Sequence, residues 1–114
     1  MVVVHQKSDA GRFVPFDFSR FGLMLNGRED GMKAFPQLES AVLSLKPGEK
    51  LLIDLGNVKI LNPSFADETL SVLLEKHPDS FLITGKLGLA VQRGLEQVER
   101  QRSINFPVLE SSPK

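Results

Sequence analysis

From Leu51 to Val98 the sequence alternates twice between a short, nearly unbroken apolar run and a longer stretch in which apolar residues recur every three or four positions. Leu51, Leu52, Ile53 and Leu55 make the first run, the mark of a strand covered on both faces and therefore central and parallel. Phe65, Ala66, Thr69, Leu70, Leu73, Leu74 and His77 then follow helical spacing, with Asp67, Glu68, Ser71, Glu75 and Lys76 on the other face and His77-Pro78 as the stop. Phe81-Leu82-Ile83 repeats the buried-strand pattern up to Gly85. Leu87, Ala90, Val91, Gly94, Leu95 and Val98 repeat the helical one, with Arg93, Glu96, Glu99 and Arg100 outside. Gly94 on the apolar stripe predicts close packing against a neighbour. Strand, helix, strand, helix in this order predicts an α/β fold with a partly parallel sheet in which Leu51–Leu55 is flanked by Phe81–Thr84.

The first half of the chain adds to this frame. Val2 to Val4 can form a short strand, followed by turn chemistry at Ser8-Asp9-Ala10-Gly11. Phe13, Phe16, Phe18 and Phe21 are half of the eight aromatic residues, within nine positions. Pro15 among them cannot donate to a ladder, which predicts an irregular edge strand. So much apolar surface in so short a segment predicts self-association, a homodimer through Phe13–Phe21. Phe21 to Leu25 is a second apolar run, ended by the turn dipeptide Asn26-Gly27. Met32, Phe35, Leu38, Ala41, Val42 and Leu45 have helical spacing, interrupted by Pro36, so the helix either begins near Phe35 or carries a preliminary turn from Asp30. Lys46-Pro47-Gly48 ends it. Ile104 to Leu109 can add a last strand, with Pro107 placing it at an edge, and residues 110 to 114 are expected to fray. The expectation is one domain over residues 1–114, with residues 1–20 as an N-terminal strand region, four to five strands and three main helices packed on them.

Several chemistries are absent from the sequence. Fourteen acidic residues balance fourteen basic ones, so no overall field draws the chain to nucleic acid or an anionic membrane. The arginines at 93, 100 and 102 sit among Glu96 and Glu99, which reads as a solvated helix face. There is no cysteine, which removes disulfides, thiolate catalysis and cysteine-bound zinc. Two histidines, His5 and His77, are too few for most histidine metal sites, and His77 reads as a helix C-terminal cap. No apolar run approaches the ~20 residues that span a bilayer, and Met1-Val2-Val3-Val4 is too short for a signal-peptide core. We expect a cytoplasmic protein without metal or cofactor that is not an enzyme.

Two places remain where chemistry can be imagined. Asp54, at a strand's end, is a candidate phosphoacceptor, but no acidic pair follows the first strand to hold magnesium. At Asn62-Pro63-Ser64, Pro63 suits a first helical position with Asn62 as N-cap, whereas Ser64-Phe65-Ala66-Asp67 resembles a capping box with Ser64 as cap. Either way Ser64 lies beside helical N–H groups without partners, where an anion, including a phosphate on serine, is stabilised. A small ligand or nucleotide at the same helix N-terminus is the alternative use.

The apolar strand, Asp54, Val58, Ile60-Leu61 and Ser64-Phe65-Ala66-Asp67-Glu68, with Arg28-Glu29 ahead of the first helix, resemble the STAS-like domain of unknown function, a relative of bacterial anti-sigma factor antagonists. The resemblance covers roughly residues 20 to 105. It implies a small mixed sheet with helices and a recognition surface at the loop and helix start, with Asn62, Ser64, Phe65 and Asp67 as partner contacts. In the antagonists it resembles, the serine at the place of Ser64 is phosphorylated by a partner kinase of the histidine-kinase-like ATPase fold, which makes Ser64 the candidate phosphosite. Here Asn62-Pro63 precedes it and bulky Phe65 follows, where the antagonists keep an acidic and a small residue before and a glycine after. The expectation is therefore a regulatory, protein-binding module that docks its partner without phosphate on Ser64.

Overall fold

The computed structural model describes residues 1–4 and 12–109. The expected turn at residues 8–11 and the expected fraying at 110–114 lie outside the described residues. A five-stranded sheet contains β1 (Val2–Val4), β2 (Arg12–Asp17), β4 (Glu49–Asp54), β6 (Phe81–Thr84) and β7 (Pro107–Leu109), in the order β1-β7-β6-β4-β2. Every pairing in it is parallel. A separate parallel ladder joins β3 (Met24–Leu25) to β5 (Ile60–Leu61). The expected partly parallel, mixed sheet is thus parallel at each described pairing.

The central strand is where its composition put it. Leu51 and Ile53 are buried in β4 between β2 and β6. β2 is an edge strand, so Pro15 interrupts no ladder on its outer side. Pro107 does not lie at an edge: β7 sits between β6 and β1. Pro107 is the first residue of that strand, where a missing donor is tolerated.

Among the described residues, three main helical bodies pack on the sheet. α1 (Arg28–Leu43) begins well before Phe35 and contains Pro36 in its interior. Its start is set by Gly27, at φ +89° in the N-cap position, with Glu29 and Asp30 in the first turn where the helix dipole favours acids. The second body runs without a break through α2 (Pro63–Ala66), a π-helical turn (Asp67–Ser71) and α3 (Val72–Lys76). The Thr69 hydroxyl donates to the Phe65 carbonyl at 2.8 Å within that turn, a back-bond of the kind that bends helices. α4 (Leu89–Arg102) follows β6 and leads to β7.

From β2 through β4 and β6 to β7 the chain adds strands in one direction, and right-handed crossovers then put all three helical bodies on one face. They touch in sequence, α1 against α2 and α2 against α4. Gly94 permits the closest approach. A Cβ there would lie 2.0 Å from the Leu61 carbonyl oxygen, so α4 can rest on β5 only without a side chain at that point. The core between helices and sheet is continuous and includes Phe18, Leu38, Ile53, Leu70, Phe81, Leu95 and Phe106. Among the described residues no helix is long and apolar enough to cross a membrane.

The phenylalanine-rich segment divides by position. Phe16 and Phe18 are buried, and Phe21 stacks edge-on against Phe18 at 5.3 Å between ring centroids. Phe18 also meets Phe65 edge-to-face at 6.1 Å. Most of the apolar surface behind the expected self-association is therefore taken up by the molecule's own core, leaving Phe13 and Phe21 half-buried.

Candidate functional site

The junction at Asn62 is built by a strand, a cap and a helix. Asn62 has an extended backbone, and its Oδ1 accepts from the Ser64 backbone N–H at 2.9 Å and from the Ser64 hydroxyl at 2.6 Å. Asn62 is therefore the N-cap, Pro63 takes the first helical position, and Ser64 lies in the first turn. Ser64 is not the cap. Its hydroxyl reinforces the cap from inside the helix, half-buried.

Phe65 and Asp67 are placed differently from the surface contacts expected of them. Phe65 is 2% exposed and turns inward to the aromatic cluster. Only a sliver of its ring reaches the surface, at the floor of an open groove it lines with Phe21 and Met24, so it presents little bulk to an approaching kinase. Asp67 is 6% exposed, not part of a solvated face. Arg102 Nε donates to its Oδ1 at 2.8 Å and Arg102 Nη2 to its Oδ2 at 2.7 Å, a bidentate pair. Arg28 Nη1 donates to Oδ2 at 3.1 Å and also to Glu68. The Arg102 hydrogen bonds, with help from Arg28, hold the Asp67 carboxyl below the usual carboxylate range against the opposing effect of burial.

This cluster joins the start of α1, the π-helical turn and the end of α4. Arg28 stands at the first position of α1, where a cation opposes the helix dipole, and its partners on the neighbouring helix account for it there. Arg102 is thus not simply part of a solvated face, and neither is Glu99, which is buried and accepts from the Phe106 N–H at 2.8 Å. The pairing of residues 28, 67 and 102 joins positions far apart in sequence, and helical periodicity alone carries no signal for it.

Beside the junction lies exposed apolar surface for which the sequence periodicity carries no signal. The β3–β5 ladder buries Leu25 and Leu61 on its inner face. The alternation of a strand then turns the register pair Met24 and Ile60 outward, at 62% and 39% exposure, with Leu23 also exposed. Ile60 is two residues from Asn62. An open groove of about 380 Å³ borders the same ladder, lined in part by Phe21, Met24, Asn26, Asp30 and Lys33. Two exposed apolar side chains therefore stand next to a half-buried polar cap.

Asp54 has a different neighbourhood. The register aligns Asp17, Asp54 and Thr84 across the carboxyl ends of β2, β4 and β6, so an acidic neighbour does stand beside Asp54. Both carboxylates are used to turn the chain. Asp54 Oδ1 accepts from the Gly56 N–H at 2.7 Å. Asp17 accepts from the Ser19 N–H at 3.0 Å and the Ser19 hydroxyl at 2.7 Å, and these bonds hold its carboxyl below the ordinary range. Among the described residues no group of three or more His, Cys, Asp or Glu side chains is placed to hold a metal ion. His77 closes α3 as expected, and its Nε2 lies 3.0 Å from Glu39 Oε2 on α1.

Residues 38–86 match the family model of a STAS-like domain of unknown function. The match runs from the middle of α1 through β4, β5 and the second helical body to the end of β6, and contains the Asn62 to Asp67 junction. No curated protein and no solved structure matches the chain.

Proposed function

We propose that this STAS-like domain is a non-enzymatic regulatory module that binds a protein partner through the surface formed by Asn62, Ser64, Met24 and Ile60. The observation that carries the proposal is the outward-facing Met24–Ile60 pair beside the Asn62 cap. Apolar side chains grouped at one place, rimmed by polar ones, suit the centre of a protein interface better than a site for chemistry. Phe65 and Asp67 serve this surface from beneath, Phe65 by packing the first helical turn onto the core and Asp67 by fixing the turn that follows. The resemblance to anti-sigma factor antagonists makes a kinase-like ATPase the class of partner to seek.

The test is capture of a stoichiometric partner from the native cell by three forms of the protein. Wild type and Leu43→Asp, a control at an exposed apolar residue at the far end of α1, are expected to retain it, and Met24→Asp to lose it. Equal retention by Met24→Asp would move the interface elsewhere. Incubation of the wild-type complex with ATP and magnesium is expected to leave the intact mass unchanged, because the Ser64 hydroxyl is engaged with Asn62. A gain of one phosphate, absent from Ser64→Ala, would make Ser64 a switch.

A further inference from the structure

The two edges of the β3–β5 ladder are closed to different degrees. The Ile60 N–H donates to the Leu23 carbonyl at 3.2 Å and the Asn62 N–H to the Leu25 carbonyl at 2.8 Å, so residues 23 and 25 turn their backbone toward β5. Backbone polar groups alternate sides along a strand, and the N–H and C=O of Met24 therefore point away from β5. On β5 the residue with the same outward sense is Leu61, whose carbonyl faces Gly94 of α4, and α4 closes that edge. Among the described residues no strand pairs with the outer edge of β3. Along it runs the open groove of about 380 Å³, between β3 and the Asp30, Lys33 and Gln37 side of α1, with Phe21 and Phe65 in its floor.

Open strand edges are ordinarily guarded against pairing. β2, an outer strand of the large sheet, carries Arg12, Pro15 and Asp17, charge and proline of the kind that discourage it. Leu23-Met24-Leu25 has neither charge nor proline, and a trough lies beside it. The outward N–H and C=O of Met24 match the C=O and N–H of one extended chain, whereas an apolar ligand in the same place would leave both without partners. An added strand also alternates its side chains. The residue opposite Met24 lies beside it on the exposed face, and the neighbours of that residue turn down onto Phe21 and Phe65.

We propose that β3 accepts an extended, apolar-rich segment of the partner protein as an added strand, seated in the groove between β3 and α1. The inference rests on the partner surface proposed above and adds the conformation of what binds there. The probe is a linear peptide selected on the immobilised full chain from a displayed library of random peptides. Hydrogen exchange followed by NMR is expected to find the Met24 amide unprotected in the free protein and protected with the peptide bound, and the Leu25 amide protected in both. Met24→Ala keeps the outward N–H, and Met24→Pro removes it while leaving the hydrogen bonds to β5 in place. The proline variant is expected to bind the peptide about tenfold more weakly than the alanine variant, the equivalent of one lost hydrogen bond, with the far-UV circular dichroism unchanged. The exchange measurement needs no variant and decides alone if Met24→Pro unfolds. An unprotected Met24 amide in the complex, or a library that yields no ligand, would overturn strand addition. So would equal losses in the two variants, which would leave Met24 in the interface by its side chain alone. Wild-type binding by both would overturn the surface as well. Protection of the Met24 amide in the free protein would give the edge to the chain itself or to a second copy, and the partner's strand would then have no place.

Discussion

At Ser64 the hydroxyl has a structural task that does not require it to be the cap. Asn62 Oδ1 accepts two hydrogen bonds from Ser64, one from the backbone and one from the side chain. Asn62→Ala removes the acceptor of both and is expected to cost about 1–2 kcal/mol, as loss of an N-cap does. Ser64→Ala leaves the backbone bond in place and is expected to cost at most about 0.5 kcal/mol, less than a typical hydrogen bond, since water can reach the half-buried Asn62. Chemical denaturation of the two variants checks the order. A larger loss in Ser64→Ala would make serine the controlling residue. The sequence contained both possibilities, because Asn62-Pro63 and Ser64 to Asp67 each satisfy a capping rule. The choice followed from β5, which ends at Leu61 and delivers Asn62 in an extended conformation.

Between elements, Asp67 is the point where three helical bodies meet. The π-helical turn carries its carboxylate between Arg28 at the head of α1 and Arg102 at the tail of α4. Its folded-state pKa is depressed, chiefly by the Arg102 hydrogen bonds. The stabilisation is accordingly complete above the unfolded carboxylate pKa of about 3.9 and is lost as pH falls from there through the lowered folded value. Asp67→Asn keeps the size but removes the charge, leaving two half-exposed guanidinium groups without their shared partner. We expect a loss of about 1–3 kcal/mol at neutral pH, less than for a fully buried pair because both arginines reach water. Below pH 4 the difference between variant and wild type should shrink. Thermal melts at pH 7 and pH 3 measure this directly, and an equal gap at both would show that the ionised carboxylate is not what joins the helices.

For the whole molecule, the pleat of β2 decides which phenylalanines belong to the core. Val14 and Phe16 face one side of the sheet and Phe13, Pro15 and Asp17 the other, and only Phe16 among these is buried. Phe16→Ser is therefore expected to destabilise the fold by about 3–5 kcal/mol, the range for emptying a buried phenylalanine site, while Phe13→Ser costs far less. Urea unfolding distinguishes them, and similar losses would mean the strand is out of register. The sequence by itself determined the α/β class, the central place of Leu51–Leu55, the close approach at Gly94 and the edge position of Pro15, because each rests on periodicity or backbone chemistry that acts locally. It left Asp67 and Glu99 on helix faces that looked solvated, and it left Pro107 at an edge. Only the tertiary structure decided those. A carboxylate's burial depends on whether an arginine or a backbone donor from a distant element arrives beside it, and a strand's neighbours depend on the order of the sheet, which no single segment encodes.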